Sequence, residues 1–249
     1  MKEQRGPLKD NLAKGVKVNA RRAKGGVMDL PITKTIIMIN VAVFIMTEFV
    51  ARKGNSVVSQ GNLGLNPIYI DQGEWWRLFT SGFLHFSLIH IGFNMLILYR
   101  LGETFERTLG PWRFIALYTT CLLGGAAGAV VVDPINGLTG GASGAVFGLA
   151  AAAVIALRQR GVSFNNSQWG PLLLVNLVLT FTLNGVSKGG HIGGLLFGLV
   201  AGAIIMNPKR RGKSLAQDIS IMAALMAVAI VVSYAVAHSR VASLTGALP

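Results

Sequence analysis

Seven stretches of this chain are apolar and long enough, or nearly so, to cross a bilayer, whose hydrocarbon core takes about 20 helical residues. They lie near residues 33–51, 84–103, 112–132, 142–159, 169–186, 188–206 and 216–237. In lipid every backbone N–H and C=O must find its partner inside the protein, so such a chain is expected to be helical throughout. The expected fold class is therefore all-α, a polytopic membrane helix bundle. Composition agrees: 13% of residues are charged and mean hydropathy is +0.54, where a soluble domain carries about 25% charged residues. The polar, basic first 30 residues contain no apolar core followed by a small-residue cleavage site, so no cleavable signal peptide is expected. The lone Cys121 lies within an apolar run, which excludes an intrachain disulfide or a cysteine-based metal site.

The formal net charge is +13, and its placement argues for a membrane rather than for nucleic acid. Residues 1–30 hold eight Lys/Arg against three acids. A second cluster, Lys209, Arg210, Arg211 and Lys213, separates two apolar runs, and Arg158 and Arg160 end another. Basic residues beside spans mark the cytoplasmic side. With the N-terminal tail in the cytoplasm, parity also puts Arg100, Arg107 and Arg113, then Arg158 and Arg160, then the 209–213 cluster on that side. The C-terminus is then external, and Ser143 and His191 both lie toward the outer face. The expected organisation is a basic cytoplasmic tail over 1–30, a six-span core over 31–206, and a basic linker, seventh span and short external tail over 207–249. Within the core, residues of about 52–83 are too many for a turn and rich in apolar side chains. With Trp75 and Trp76 suited to the interface, this segment is expected to form a partly embedded external loop.

Polar groups inside spans are costly and usually functional. Ser143 sits in Gly140-Gly141-Ala142-Ser143-Gly144, where glycines supply a turn and a helix start would aim free N–H donors at a developing oxyanion. The alternative is simple helix packing, to which Gly and Ser also contribute. His191 opens the sixth run, followed by Gly194, Gly198 and Gly202 at four-residue spacing; the fourth run has its own small face at Gly144, Gly148 and Ala152. Two such faces in contact would bring Ser143 and His191 to one depth. Phe147, one turn below Ser143, is placed to pack against the imidazole. On the second run His90 and Asn94 share a helix face and suit a developing negative charge, with interhelical hydrogen bonding as the alternative. His85, five residues before His90, is about 140° away if helical, a spacing that does not favour a two-histidine metal site. No acidic residue stands beside either Ser143 or His191 in the sequence, which leaves a Ser-His dyad.

Together these residues resemble the rhomboid family of intramembrane serine proteases, over roughly residues 33–206. "HFSLIHIGFN" (His85 to Asn94) is similar to the family's His-x4-His-x3-Asn segment, "GGASG" to its Gly-x-Ser-Gly nucleophile motif, and "GGHIGGLLFG" to its histidine-plus-glycine motif. Trp76-Arg77 and the stretch from Glu106 to Gly110 resemble two further family signatures. The resemblance implies a six-helix core with a seventh C-terminal span, the six-plus-one variant. It implies Ser143 as nucleophile and His191 as general base. It implies an oxyanion hole lined by Asn94, His90 and the Ser143 N–H with help from Gly141, and supporting roles for His85, Phe147, Trp76 and Arg77. Phe93 would face the route of substrate access. Phe147 stands where some members have tyrosine, a loss of hydroxyl that keeps the ring. The resemblance further implies no metal or cofactor, and cleavage of transmembrane protein substrates near the outer face of a membrane, expected to be a bacterial cell membrane. Such substrates are cut beside small residues, with helix-destabilising residues below. Membrane lipids are the other expected partner, with anionic head groups available to the basic tail; nucleic acid is not expected. A non-proteolytic client-binding or quality-control protein on the same fold is the alternative; the intact Ser143 and His191 favour the enzyme. A small-solute transporter is disfavoured, since the chain shows no repeat and its polar groups gather in the outer third of three spans.

Overall fold

A computed structural model describes residues 30–50, 56–167, 169–182, 185–207, 210 and 212–246. The tail up to residue 29, residues 51–55 of the external loop, and Lys209 and Arg211 of the basic cluster lie outside the described residues. The described residues form α1 (Pro31–Val50), α2 (Ser56–Leu63), α3 (Pro67–Asp71), α4 (Arg77–Thr80), α5 (Leu88–Leu109), α6 (Pro111–Val132), α7 (Ser143–Arg158), α8 (Trp169–Thr182), α9 (Lys188–Ile205) and α10 (Leu215–Thr245), with a 3-10 turn at Ser81–Phe83. The all-α bundle is as expected. The span lengths are less uniform than the apolar runs. Among the described residues four helices are long and apolar enough to cross a membrane alone: Pro31–Glu48, Pro111–Val132, Lys188–Ile205 and Leu215–Leu244. The second run is broken: Arg77–Phe83 and Leu88–Leu109 meet at 96°. Ser143–Arg158 and Trp169–Thr182 are shorter apolar helices of 16 and 14 residues.

Local chemistry explains the boundaries. Ser87 is extended and its Oγ accepts the His90 N–H, capping the start of α5 after the break. Gly110, at φ 79°, ends α5, and Pro111 opens α6 directly after it. Ser187 caps α9 by accepting the Gly190 N–H. Buried Glu106 accepts the N–H groups of Ile32 and Thr33 at 2.9 and 2.8 Å and the Thr33 hydroxyl at 2.6 Å. A carboxylate there satisfies the free donors at the start of α1 and complements its dipole.

The centre is α6, α7 and α9, packed through glycines. A Cβ at Gly194 would strike the Gly144 carbonyl, one at Gly198 the Gly148 backbone, and one at Gly202 the Ala152 Cα at 2.7 Å. The small faces of the fourth and sixth runs therefore meet in register, one turn per contact. On the other side of α9, Gly189 and Gly193 meet Gly128 backbone to backbone. α10 packs on α6 and α3, and is tied down at both ends. At one end Asp218 pairs with Arg113 at 2.7 Å and Arg210 at 3.1 Å. At the other, Arg240 donates to the carbonyls of Val130 and, at 2.8 Å, Asp133, while His238 meets Asp71 at 2.8 Å.

Candidate active site

Ser143 is the first residue of α7, and Ala142 before it provides no side-chain cap. The first N–H groups of α7 therefore have no partner in their own helix. The preceding turn is fixed from three sides. Gly141 adopts φ +136°, and its N–H donates to the Ser81 carbonyl at 2.8 Å. The Ala142 N–H points to His85 Nε2 at 3.4 Å, while His85 Nδ1 faces the Phe83 carbonyl at the same distance. Leu65 and Thr139 exchange two backbone hydrogen bonds, at 2.8 and 2.9 Å, which join the external segment to this turn. His85 lies in the break before α5 and not on a helix, so the angular argument for its relation to His90 does not apply. Instead the two rings meet edge to face, centroids 4.9 Å apart. A Cβ on Gly141 would sit 2.9 Å from His90 Nε2 and 3.5 Å from Ser143 Oγ. Only glycine lets this imidazole come so close to the serine's turn.

His191, in the first turn of α9, is 8% exposed. Its ring stacks on Phe147, centroids 4.1 Å apart and planes 18° apart. Its Nδ1 lies 2.6 Å from the hydroxyl of buried Thr180 on α8. Ser143 and His191 line one open cavity of about 900 Å³ together with His90, Asn94, Phe147 and Thr180. Among the described residues no hydrogen bond joins Ser143 to His191, whose one hydrogen-bond contact there is the Nδ1–Thr180 pair. Asn94 is buried, and one of its two amide hydrogens goes to the His90 carbonyl at 2.9 Å, leaving the other for a ligand. α5 contributes Ile89 and Phe93 to the cavity lining, and α8 contributes Leu172 and Asn176. Both helices pack on α7 rather than closely on each other.

The remaining expected site residues divide. Gly144 and Gly148 on α7 face Gly194 and Gly198 on α9, and Gly202 reaches Ala152. Arg77 is away from the cavity: it is buried, its guanidinium pairs with Glu74, donates to the Gly61 and Gly64 carbonyls and lies 4.3 Å from the Tyr69 ring centroid. It holds the external segment together. Trp75 and Trp76 are 68% and 43% exposed and line no part of the cavity.

Two residues near Ser143 and His191 carry no signal in the sequence. Thr180 is one. Asp133 is the other, and it stands closer to His191 along the fold than its position after the third run suggests. Its carboxylate accepts the Ser187 hydroxyl at 2.5 Å, the Gly189 N–H at 2.9 Å and the Thr139 hydroxyl at 3.4 Å. It thus fixes the start of the histidine's helix without touching the imidazole.

A sequence profile of the Rhomboid domain matches residues 72–208, more than half of the chain. The chain belongs to the rhomboid family, and is an integral multi-pass membrane protein. It is 36% identical over 143 residues to rhomboid protease GluP of Bacillus subtilis, covering 56% of this chain and 28% of that protein's length. It is 30% identical over 243 residues to rhomboid protease AarA of Providencia stuartii, covering 84% of this chain and 82% of that one. It is also 30% identical over 151 residues to inactive rhomboid-related protein 2 of Caenorhabditis elegans, covering 55% of this chain and 43% of that one.

Proposed function

We propose that this protein is an intramembrane serine endopeptidase that cleaves transmembrane segments of membrane proteins near the outer face, using Ser143 and His191. The observation that carries the reading is the convergence of Ser143, His191, His90 and Asn94 on one cavity, with the imidazole held through Nδ1. Catalytic hydrogen bonds are often long before substrate arrives and tighten in the complex, so the open Ser143–His191 pair suits a resting enzyme.

In the proposed reaction Ser143 Oγ attacks the scissile carbonyl carbon while His191 Nε2 takes the hydroxyl proton. The carbonyl electrons move to oxygen, where the Ser143 N–H, the Asn94 amide and the His90 ring are the candidate donors. Collapse breaks the C–N bond, and the imidazolium returns its proton to the leaving amine. Water then attacks the acyl-enzyme, His191 takes its proton, and the carboxylate product leaves as Ser143 regains its hydrogen.

The site needs water, and α7 is suited to supply a route. A helix of 16 residues rises about 24 Å, less than a hydrocarbon core of about 30 Å. With basic Arg158 at the cytoplasmic surface, Ser143 lies below the outer surface, under the open cavity. Because α5 and α8 both line the cavity and pack on α7 rather than closely on each other, the reading has a substrate helix enter from the bilayer between them.

Fluorophosphonate labelling of the detergent-solubilised chain tests this reading, with cleavage of a reporter transmembrane substrate as the second readout. Wild type should label and cleave; Ser143→Ala and His191→Ala should do neither. A folded wild type that neither labels nor cleaves would support the client-binding alternative instead.

A further inference from the structure

Stacking on Phe147 fixes the plane of the His191 ring but not which of its two faces meets Phe147. A half-turn about Cβ–Cγ would exchange each ring nitrogen with a carbon and leave the stack unchanged. A second contact is needed, and Thr180 supplies one 2.6 Å from Nδ1.

The direction of that hydrogen bond follows from counting protons. A hydroxyl has one hydrogen to donate and lone pairs with which to accept. The Thr180 Oγ1 lies 2.8 Å from the Asn176 carbonyl, one turn back on α8, and that carbonyl can only accept. With the hydroxyl hydrogen placed there, Nδ1 must carry its own proton and donate it to Oγ1. The neutral imidazole then holds no proton on Nε2, which is the form able to accept one from Ser143. Asp133 is not free for this role, since its carboxylate is engaged with Ser187, Gly189 and Thr139.

We propose that Thr180 is a positioning residue for His191, a neutral hydroxyl taking the orienting role that a carboxylate takes in a Ser-His-Asp triad. The proposal rests on the protease reading above. In a buried site a hydroxyl has the further merit of avoiding the cost of burying a carboxylate. It orients the base without placing a charge beside it.

The test uses the full chain with Thr180→Val, which keeps the branched shape and removes the hydroxyl, and Thr180→Ser, which keeps the hydroxyl and loses a methyl. Thr180→Val should lower kcat roughly 10- to 100-fold with KM little changed, and Thr180→Ser should restore most of the rate. Nitrogen-15 NMR of the histidine rings should find wild-type His191 protonated at Nδ1, with that preference lost in Thr180→Val. Equal rates for wild type and Thr180→Val would overturn the proposal. So would equal impairment of both variants, which would assign the effect to packing, or a wild-type His191 protonated at Nε2. Should Thr180→Val fail to fold, the wild-type tautomer and the Thr180→Ser rate still decide. Absence of fluorophosphonate labelling in wild type would sink the protease reading, whereas the ring tautomer answers for Thr180 whether or not the chain cleaves anything.

Discussion

Phe147 and His191 lie face to face, ring centroids 4.1 Å apart, because residue 147 is one turn along α7 from Ser143. The helix that presents the serine thus also presents the flat surface on which the imidazole rests. Phe147→Tyr keeps that surface, and its cleavage rate should stay within about threefold of wild type. Phe147→Ala removes it and leaves a cavity under the base. Its kcat should fall at least ~10-fold, measured by steady-state cleavage of a reporter substrate. A Phe147→Ala enzyme with unchanged kcat would mean that the ring does not orient the base.

The α7–α9 interface predicts a contrast between glycines. A Cβ at Gly198 meets the Gly148 backbone, which cannot move aside without separating the helices, whereas one at Gly92 on α5 meets nothing within 4 Å. Gly198→Ala should destabilise by about 1–3 kcal/mol. Gly92→Ala should be neutral or stabilise by up to about 1 kcal/mol. Thermal unfolding in one detergent compares them; equal Tm values would contradict the close approach.

Gly141 tests the turn before the serine. Its φ of +136° and the His90 ring beside it both resist a side chain. Gly141→Ala should introduce about 1–3 kcal/mol of local strain and displace His90. Fluorophosphonate labelling should slow far more than Tm falls. A variant that labels at the wild-type rate would remove His90 and Gly141 from the proposed oxyanion hole.

The two contacts at one end of α10 should differ sharply in weight. Arg240 is a charged donor to two carbonyls at the end of α6, whereas His238 is 66% exposed where it meets Asp71. Arg240→Gln should cost roughly 1.5–3 kcal/mol and slow cleavage, since Asp133 also anchors the start of α9. His238→Ala should cost less than about 1 kcal/mol. Chemical or thermal unfolding separates the two, and an Arg240→Gln protein indistinguishable from wild type would sever α10 from the site.

The site was legible in the sequence wherever chemistry is carried by one residue or by a local spacing. Ser143 among glycines, His191 ahead of Gly194, Gly198 and Gly202, and the His90–Asn94 pair all announce themselves this way. Their meeting on one cavity follows from small faces that fit only each other. Thr180 was not legible, because its partner is eleven positions away across a hairpin and threonine is ordinary in a membrane helix. Asp133 was hidden because its partners Ser187 and Gly189 lie 54 and 56 positions further along the chain. The break in the second run escaped because hydropathy does not register a bend. Its one local sign was Ser87, a capping residue within an apolar stretch. The Trp76-Arg77 pair is legible as a local motif, but the partners of Arg77 are not: its guanidinium reaches Glu74 and the carbonyls of Gly61 and Gly64 within the external segment.

The grip of Arg240 on Val130 and Asp133 also bears on the order in which the protein comes into being. α10 follows every site residue in the chain, so serine, histidine and their glycine interface leave the ribosome before the arginine that fastens them. The three central helices can already meet at that stage. The carbonyl end of α6 waits for its cation until α10 has entered the membrane and its far end has reached the opposite side. Among the contacts around Ser143 and His191, the tie from Arg240 to Val130 and Asp133 is thus the last whose partners are all synthesised.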